Sequence, residues 1–175
     1  MQIEFITEEC AKYTEFWKNL PREGLVPSRS DFFPEEIPSL LQNFIMHDFI
    51  SVEESIIRLA GTSFSNRYSE DITGRNYLDF VEDDRKIYAG TALLQMAEQP
   101  CGMRVLLRQI TKSGRAHLSE SVGFPLLNKV TGRYLLLFQH VVIEDSPHLF
   151  EPAEQLANFD VNKRDFIDIG AGIPK

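Results

Sequence analysis

Four histidines, two cysteines and a surplus of carboxylates are the groups from which this chain would have to build chemistry. His47-Asp48 with Ser51 supplies the residue types of a nucleophile, a base and an orienting acid. Neighbours on a strand point to opposite faces, so a triad does not assemble there. His117 and Glu120 also fall on opposite faces of one predicted strand, which removes a direct acid–base pair. Glu82-Asp83-Asp84 offers carboxylates to a divalent cation, but acids just ahead of a helix more simply cap it. The histidines lie far apart and show no metal-ligand spacing. Cys10 and Cys101 form no CxxC pair and read as free thiols. There is no Gly-x-Ser-x-Gly elbow, and Gly170-Ala171-Gly172 has no room for a helix after it, as a nucleotide loop needs. Arg58, Arg75 and Arg108 are candidates for a carboxylate or phosphate held by paired hydrogen bonds. Their competing reading is surface ion pairing, with Arg75 bracing a local turn.

The chain around these groups has 175 residues, 18 Lys plus Arg against 26 Asp plus Glu, and a net charge of −8. An apolar fraction of 43% and that length suit one core with extensions. The acidic balance argues against a general nucleic-acid binder, which needs a basic face. No apolar run reaches the roughly 18–20 residues of a membrane span. The N-terminal MQIEFITEEC lacks the pattern of a signal peptide, so the expected compartment is the cytoplasm.

The elements that must position these residues follow from periodicity. Residues 8–20 predict an amphipathic helix with Thr7 as N-cap and Cys10, Tyr13, Phe16, Trp17 and Leu20 on one face. Pro21 ends it. A connector leads to a short helix over 34–42, broken or restarted at Pro38. Strands are predicted over 43–50 and 55–61, and a short helix over 63–69 capped by Thr62. Residues 72–75 read as a turn around Gly74. Asp83 or Asp84 caps a longer helix running to about Glu98, with Ile87, Tyr88, Thr91, Leu94 and Ala97 as its inner stripe. Strands over 103–111, 116–124 and 134–143 follow, joined by hairpin turns. The last is apolar on both faces, so it must be central and covered on both sides, by the helical middle and by the N-terminal helix or a partner subunit. Beyond it, 151–159 reads as a short helix and the end, IGAGIPK, as loose or weakly docked. Helices segregated from an antiparallel sheet make an α+β domain.

That order, with Arg58-Leu59-Ala60-Gly61-Thr62 followed by Tyr68 and Asp71-Ile72-Thr73-Gly74-Arg75, resembles a PAS domain. It is most similar to the small bacterial PAS-like branch with a Trp-bearing N-terminal helix and a Pro-x-Arg-x-Asp-Phe-x-Pro segment. Here those residues are Trp17 and Pro27-Ser28-Arg29-Ser30-Asp31-Phe32-Phe33-Pro34. The resemblance covers about 15–143. It implies a five-stranded antiparallel sheet with helices on one face and the amphipathic helix in front. Residues 1–33 are then helix and connector, 34–143 the PAS-like domain and 144–175 a C-terminal extension.

The resemblance also implies a ligand space between sheet and helices, for which Tyr68, Tyr77, Tyr88, Met96 and Gln109 are candidates. The alternative is that they fill an ordinary core. The cofactor stays unknown. Gly74-Arg75-Asn76-Tyr77 is similar to the flavin-binding light-sensing segment, but Tyr77 stands where that branch has its adduct-forming cysteine. No histidine lies on the predicted long helix for axial haem ligation. Tyr13, Phe16 and Trp17 are candidates for an interface, with docking on the chain's own sheet as the competing use. The expectation is a stand-alone, non-enzymatic sensory or regulatory domain. It would bind a small ligand, a protein partner or both, as monomer or homodimer, and signal by changed protein contacts. A ligand-free interaction scaffold is the first alternative and a small enzyme the second.

Overall fold

The computed structural model describes residues 3–144 and 152–174. Its centre is one antiparallel sheet of six strands: β1 (Phe44–Ser51), β2 (Glu54–Ala60), β3 (Cys101–Thr111), β4 (Ala116–Asn128), β5 (Arg133–Glu144) and β6 (Leu156–Asp168). The spatial order is β2-β1-β5-β4-β3-β6. Three helices flank it: α1 (Glu8–Asn19), α2 (Thr62–Arg67) and α3 (Lys86–Glu98). This is the expected α+β arrangement, with one strand more than expected.

The central strand β5 has a core on each side. Leu136 and Phe138 join Ile45, Val105, Leu107, Leu93 and Met96 on the inner face, beneath α2 and α3. Leu137 joins Phe44, Val122 and Phe124 on the outer face, beneath α1. The second cover is therefore the chain's own N-terminal helix. Trp17 stacks on Phe124 with ring centroids 4.6 Å apart, and its indole N–H donates to the Pro125 carbonyl at 3.1 Å. The Tyr13 hydroxyl donates to the Leu137 carbonyl at 2.8 Å. Each buried donor thus finds a strand carbonyl, which is what burying such polar tips requires.

Thr7 stands at the N-cap of α1, as expected, but its side chain makes no capping bond. Its hydroxyl instead donates to the buried Glu120 carboxylate at 2.7 Å. Pro38 restarts a 3₁₀ helix rather than an α-helix, Pro34–Glu36 then Pro38–Asn43. Thr62 is the first residue of α2, whose N-cap is Gly61. The turn at 72–75 forms, with Gly74 at φ +85°. Neither Asp83 nor Asp84 caps α3. They lie in a preceding 3₁₀ turn, Asp83–Arg85, and Asp83 pairs with Lys86 at 2.7 Å.

The inner stripe of α3 is rotated from expectation. Ala89, Gly90, Ala92, Leu93 and Met96 are buried, while Ile87 and Tyr88 are 61% and 64% exposed. The cause is a close approach. A Cβ on Gly90 would lie 1.9 Å from the Val52 carbonyl oxygen in the β1–β2 turn. Only glycine lets the helix sit there, and that contact sets which residues face the sheet.

The predicted helix over 151–159 is also corrected. Residue 151 lies outside the described residues, and 156 onward is strand, hydrogen-bonded to β3 along its length. An extra residue, Asn162, interrupts that ladder, because Leu106 faces Lys163 while Leu107 faces Val161. The following tail is fastened: the N–H groups of Gly170 and Gly172 donate to the Asp168 carboxylate at 2.7 and 2.9 Å.

Candidate functional site

The inner face of the sheet and α3 enclose a small hollow. β1 supplies Ile45 and His47, β3 supplies Met103, Val105 and Leu107, and β5 supplies Phe138 and His140. Ala89 and Leu93 of α3 form the roof, and Phe159, Val161 and Arg164 of β6 close one side. Its volume is about 50 Å³. That equals roughly two water volumes at about 30 Å³ each. A flavin ring or a haem does not fit this space without displacing the side chains that line it. A smaller hollow of about 20 Å³ adjoins it, sharing Tyr77, Ala89, Phe159, Val161 and Arg164 and reaching the surface beside Arg85 and Tyr88.

Few polar groups face this apolar space. His47 sits edge-on to Tyr77 and Phe138, with centroids 5.2 and 5.5 Å away, and its Nδ1 lies 3.4 Å from the Ser55 hydroxyl. Burial pushes its pKa down to about 4. His140 packs on Phe64 at 5.2 Å. Burial, aided by the positive charge of Arg67, brings its pKa down to about 3. Both imidazoles are neutral at pH 7. The Nε2 of His140 is buried without a hydrogen-bond partner among the described residues. The Tyr77 phenol is pushed up by burial, against a smaller opposing pull from Arg164, and stays protonated.

Of the five residues expected to line a ligand space, Tyr77 lines this hollow and Tyr88 lines its mouth. Tyr68 and Met96 are packed in the inner core, 1% and 0% exposed. Gln109 is fully buried and accepts the Ser119 hydroxyl at 3.1 Å. Tyr13 and Trp17 are buried against the outer face, and Phe16 is half-buried, edge-on to Phe32 at 5.9 Å. The arginines singled out from the sequence do other work. Arg58 pairs with Asp48 and Arg75 with Glu70, each at 2.9 Å, while Arg108 lies exposed on the other side of the sheet.

Arg164 is the functional candidate that the sequence does not reveal. Its isolation depends on strand register, since pairing opposite Val105 turns it to the inner face. The signal that was available is its place in a charged, alternating segment, Asn162-Lys163-Arg164-Asp165-Phe166.

On the outer face, the catalytic residue types are absorbed by structure. Glu120 accepts hydrogen bonds from the N–H groups of Ile6 and Thr7, from the Thr7 hydroxyl and from Arg104. Burial alone would raise its pKa, but these donors outweigh it and hold the carboxyl below its ordinary value. Asp165 completes the network at 3.3 Å from Arg104. His117 faces the opposite side of the sheet, and Asp48 is turned away from His47 toward Arg58. Among the described residues, no group of three or more His, Cys, Asp or Glu is placed to hold a metal ion. Cys10 and Cys101 are free thiols, and burial pushes both up to about 12.

The sheet, its helical cover and the small interior hollow between them define a sensory-domain architecture. The family model for the PAS domain matches residues 7–134, and the chain belongs to that family. Among solved structures, the chain is similar to an RNA-binding light-oxygen-voltage receptor, at 14% identity and a TM-score of 0.46. The match covers 71% of this chain and 37% of that one, so the chain spans well under half of that receptor's length. No curated protein matches the sequence. No helix among the described residues is long and apolar enough to cross a membrane.

Proposed function

We propose that this PAS domain is a regulatory module that takes a small ligand in the hollow beneath α3 and passes its state on through protein contacts. It performs no chemistry of its own. The observation that carries the reading is the orphaned Nε2 of His140 at the wall of an apolar space. A buried polar nitrogen without a partner costs about 1–3 kcal/mol, which a ligand or a trapped water would recover. A ligand that prefers one seating of α3 on the sheet shifts the population toward it and alters the exposed surface around Ile87 and Tyr88. Those two side chains lie next to each other on α3 and face solvent, which also supports the second reading, a ligand-free interaction scaffold.

Native mass spectrometry of the purified chain, followed by denaturation and analysis of released molecules, tests the first reading. A stoichiometric small molecule is expected. A bare chain mass, together with His140 ring signals that stay fixed across a fragment library of small apolar and polar compounds, would leave the scaffold reading in its place.

A further inference from the structure

This inference rests on the ligand-binding reading and names the class of ligand. Arg164 belongs to a chain with eight more acids than bases, 26 against 18. Other arginines of the fold are matched: Arg85 with Asp160, Arg104 with Glu120 and Asp165, Arg115 with Glu154. Arg164 has no carboxylate and no hydrogen-bond acceptor among the described residues, and its Nε is buried. Its guanidinium lies over the face of Tyr88, 4.6 Å from the ring centroid. A contact to the ring face leaves the in-plane N–H donors of the guanidinium unspent.

Those donors lie where the two hollows meet. Arg164 and Tyr77 line both. The Tyr77 hydroxyl, a protonated phenol, can donate as well. Beyond them the walls are mostly apolar, with Leu93, Phe138, Phe159 and Val161, and the polar groups among them, the imidazoles of His47 and His140 and the Ser121 hydroxyl, carry no charge at pH 7. The space thus has one cationic, donor-rich end and a remainder that is mostly hydrocarbon and uncharged.

We propose that this site binds a short-chain monocarboxylate, its carboxylate on Arg164 and the Tyr77 hydroxyl and its alkyl chain in the hollow beneath α3. The chemistry selects this class. An unpaired guanidinium fits a planar carboxylate through paired charge-assisted hydrogen bonds. A single cation does not match the charge and three acceptor oxygens of a phosphate ester. A hollow of about 50 Å³ takes a chain of two or three carbons, and its lining leaves nothing for a second charged group.

The test is a titration of the ¹⁵N-labelled chain with butyrate and with butan-1-ol, followed by NMR, for the wild type, Arg164→Gln and Arg108→Gln. The wild type and Arg108→Gln should bind butyrate at least tenfold more tightly than butan-1-ol, with shifts at Tyr77, Leu93 and Phe138. Arg164→Gln should lose that preference yet bind butan-1-ol as the wild type does, which also shows that the variant is folded. Equal affinities for the acid and the alcohol in the wild type, or full butyrate affinity in Arg164→Gln, would overturn the carboxylate assignment while leaving the hollow a ligand site. If neither compound shifts the lining residues, the ligand-binding reading falls together with this one.

Discussion

Glu120 and Thr7 are 113 residues apart and joined twice: the Thr7 N–H and its hydroxyl both donate to the Glu120 carboxylate, each at 2.7 Å. Through this pair the start of α1 is tied to the middle of β4. Glu120→Ala would leave Arg104 buried with only Asp165, at 3.3 Å, as a partner. The expected loss is about 3–5 kcal/mol, as for other buried pairs cut on one side. Urea denaturation measures it. A loss under about 1 kcal/mol would mean that water replaces the carboxylate.

Acid should weaken the fold before Glu120 is protonated. His47 and His140 have folded pKa values near 4 and 3, below the ordinary 6.5. Between pH 6.5 and 4 the unfolded chain binds protons that the folded chain does not, so stability falls as pH falls through that range. The effect is on the order of 3 kcal/mol by pH 4 for each fully buried histidine. Glu120 adds to the loss as pH falls from the ordinary carboxylate range, where the unfolded chain takes up the proton, down through its lowered folded value. Denaturation midpoints at pH 7, 6, 5 and 4 should therefore decline from pH 6.5 downward, and His47→Gln should flatten part of that decline.

The rotation of α3 makes two substitutions differ sharply. Ile87→Glu changes a side chain 61% exposed and should alter stability by less than about 0.5 kcal/mol. Leu93→Ala empties a site 4% exposed over the hollow and should cost about 2–5 kcal/mol. Thermal melts of both variants decide it. A severe effect of Ile87→Glu would restore the stripe that periodicity alone predicts.

Gly90→Ala brings a methyl group against the Val52 carbonyl, which is backbone and cannot swing aside. Helix propensity alone would make this change favourable by about 1 kcal/mol. The clash should win, with a net loss of about 1–3 kcal/mol. A raised melting temperature would show that α3 can lift from the β1–β2 turn.

These cases show why some of the fold was legible in the sequence and some was not. The first five strands are readable because β-branched and aromatic residues recur over short runs bounded by turn residues, as in Met103 to Thr111. α1 is readable because Tyr13, Trp17 and Leu20 recur at helical spacing and are buried together. β6 escapes because Asn162 inserts one residue and breaks the alternation that marks a strand. The facing of α3 escapes because it is set by what Gly90 lacks, in contact with a turn nearly forty residues earlier. In the site, Tyr77 was visible as an aromatic beside a turn. Arg164 was not, because being unpaired is a property of the surroundings and cannot be read from local spacing.

The stacking of Tyr88 on Arg164 has a thermodynamic consequence. An anion on the guanidinium cancels the charge that holds the ring, so a bound carboxylate loosens Tyr88. Whatever binds the released ring at the surface must, by linkage, strengthen anion binding by the same factor. A cation–π contact at an exposed position is worth about 0.5–1 kcal/mol, so this pair alone couples the two events by about two- to fivefold. Such a coupling is graded. A sharp on–off response would need further contacts to move with Tyr88.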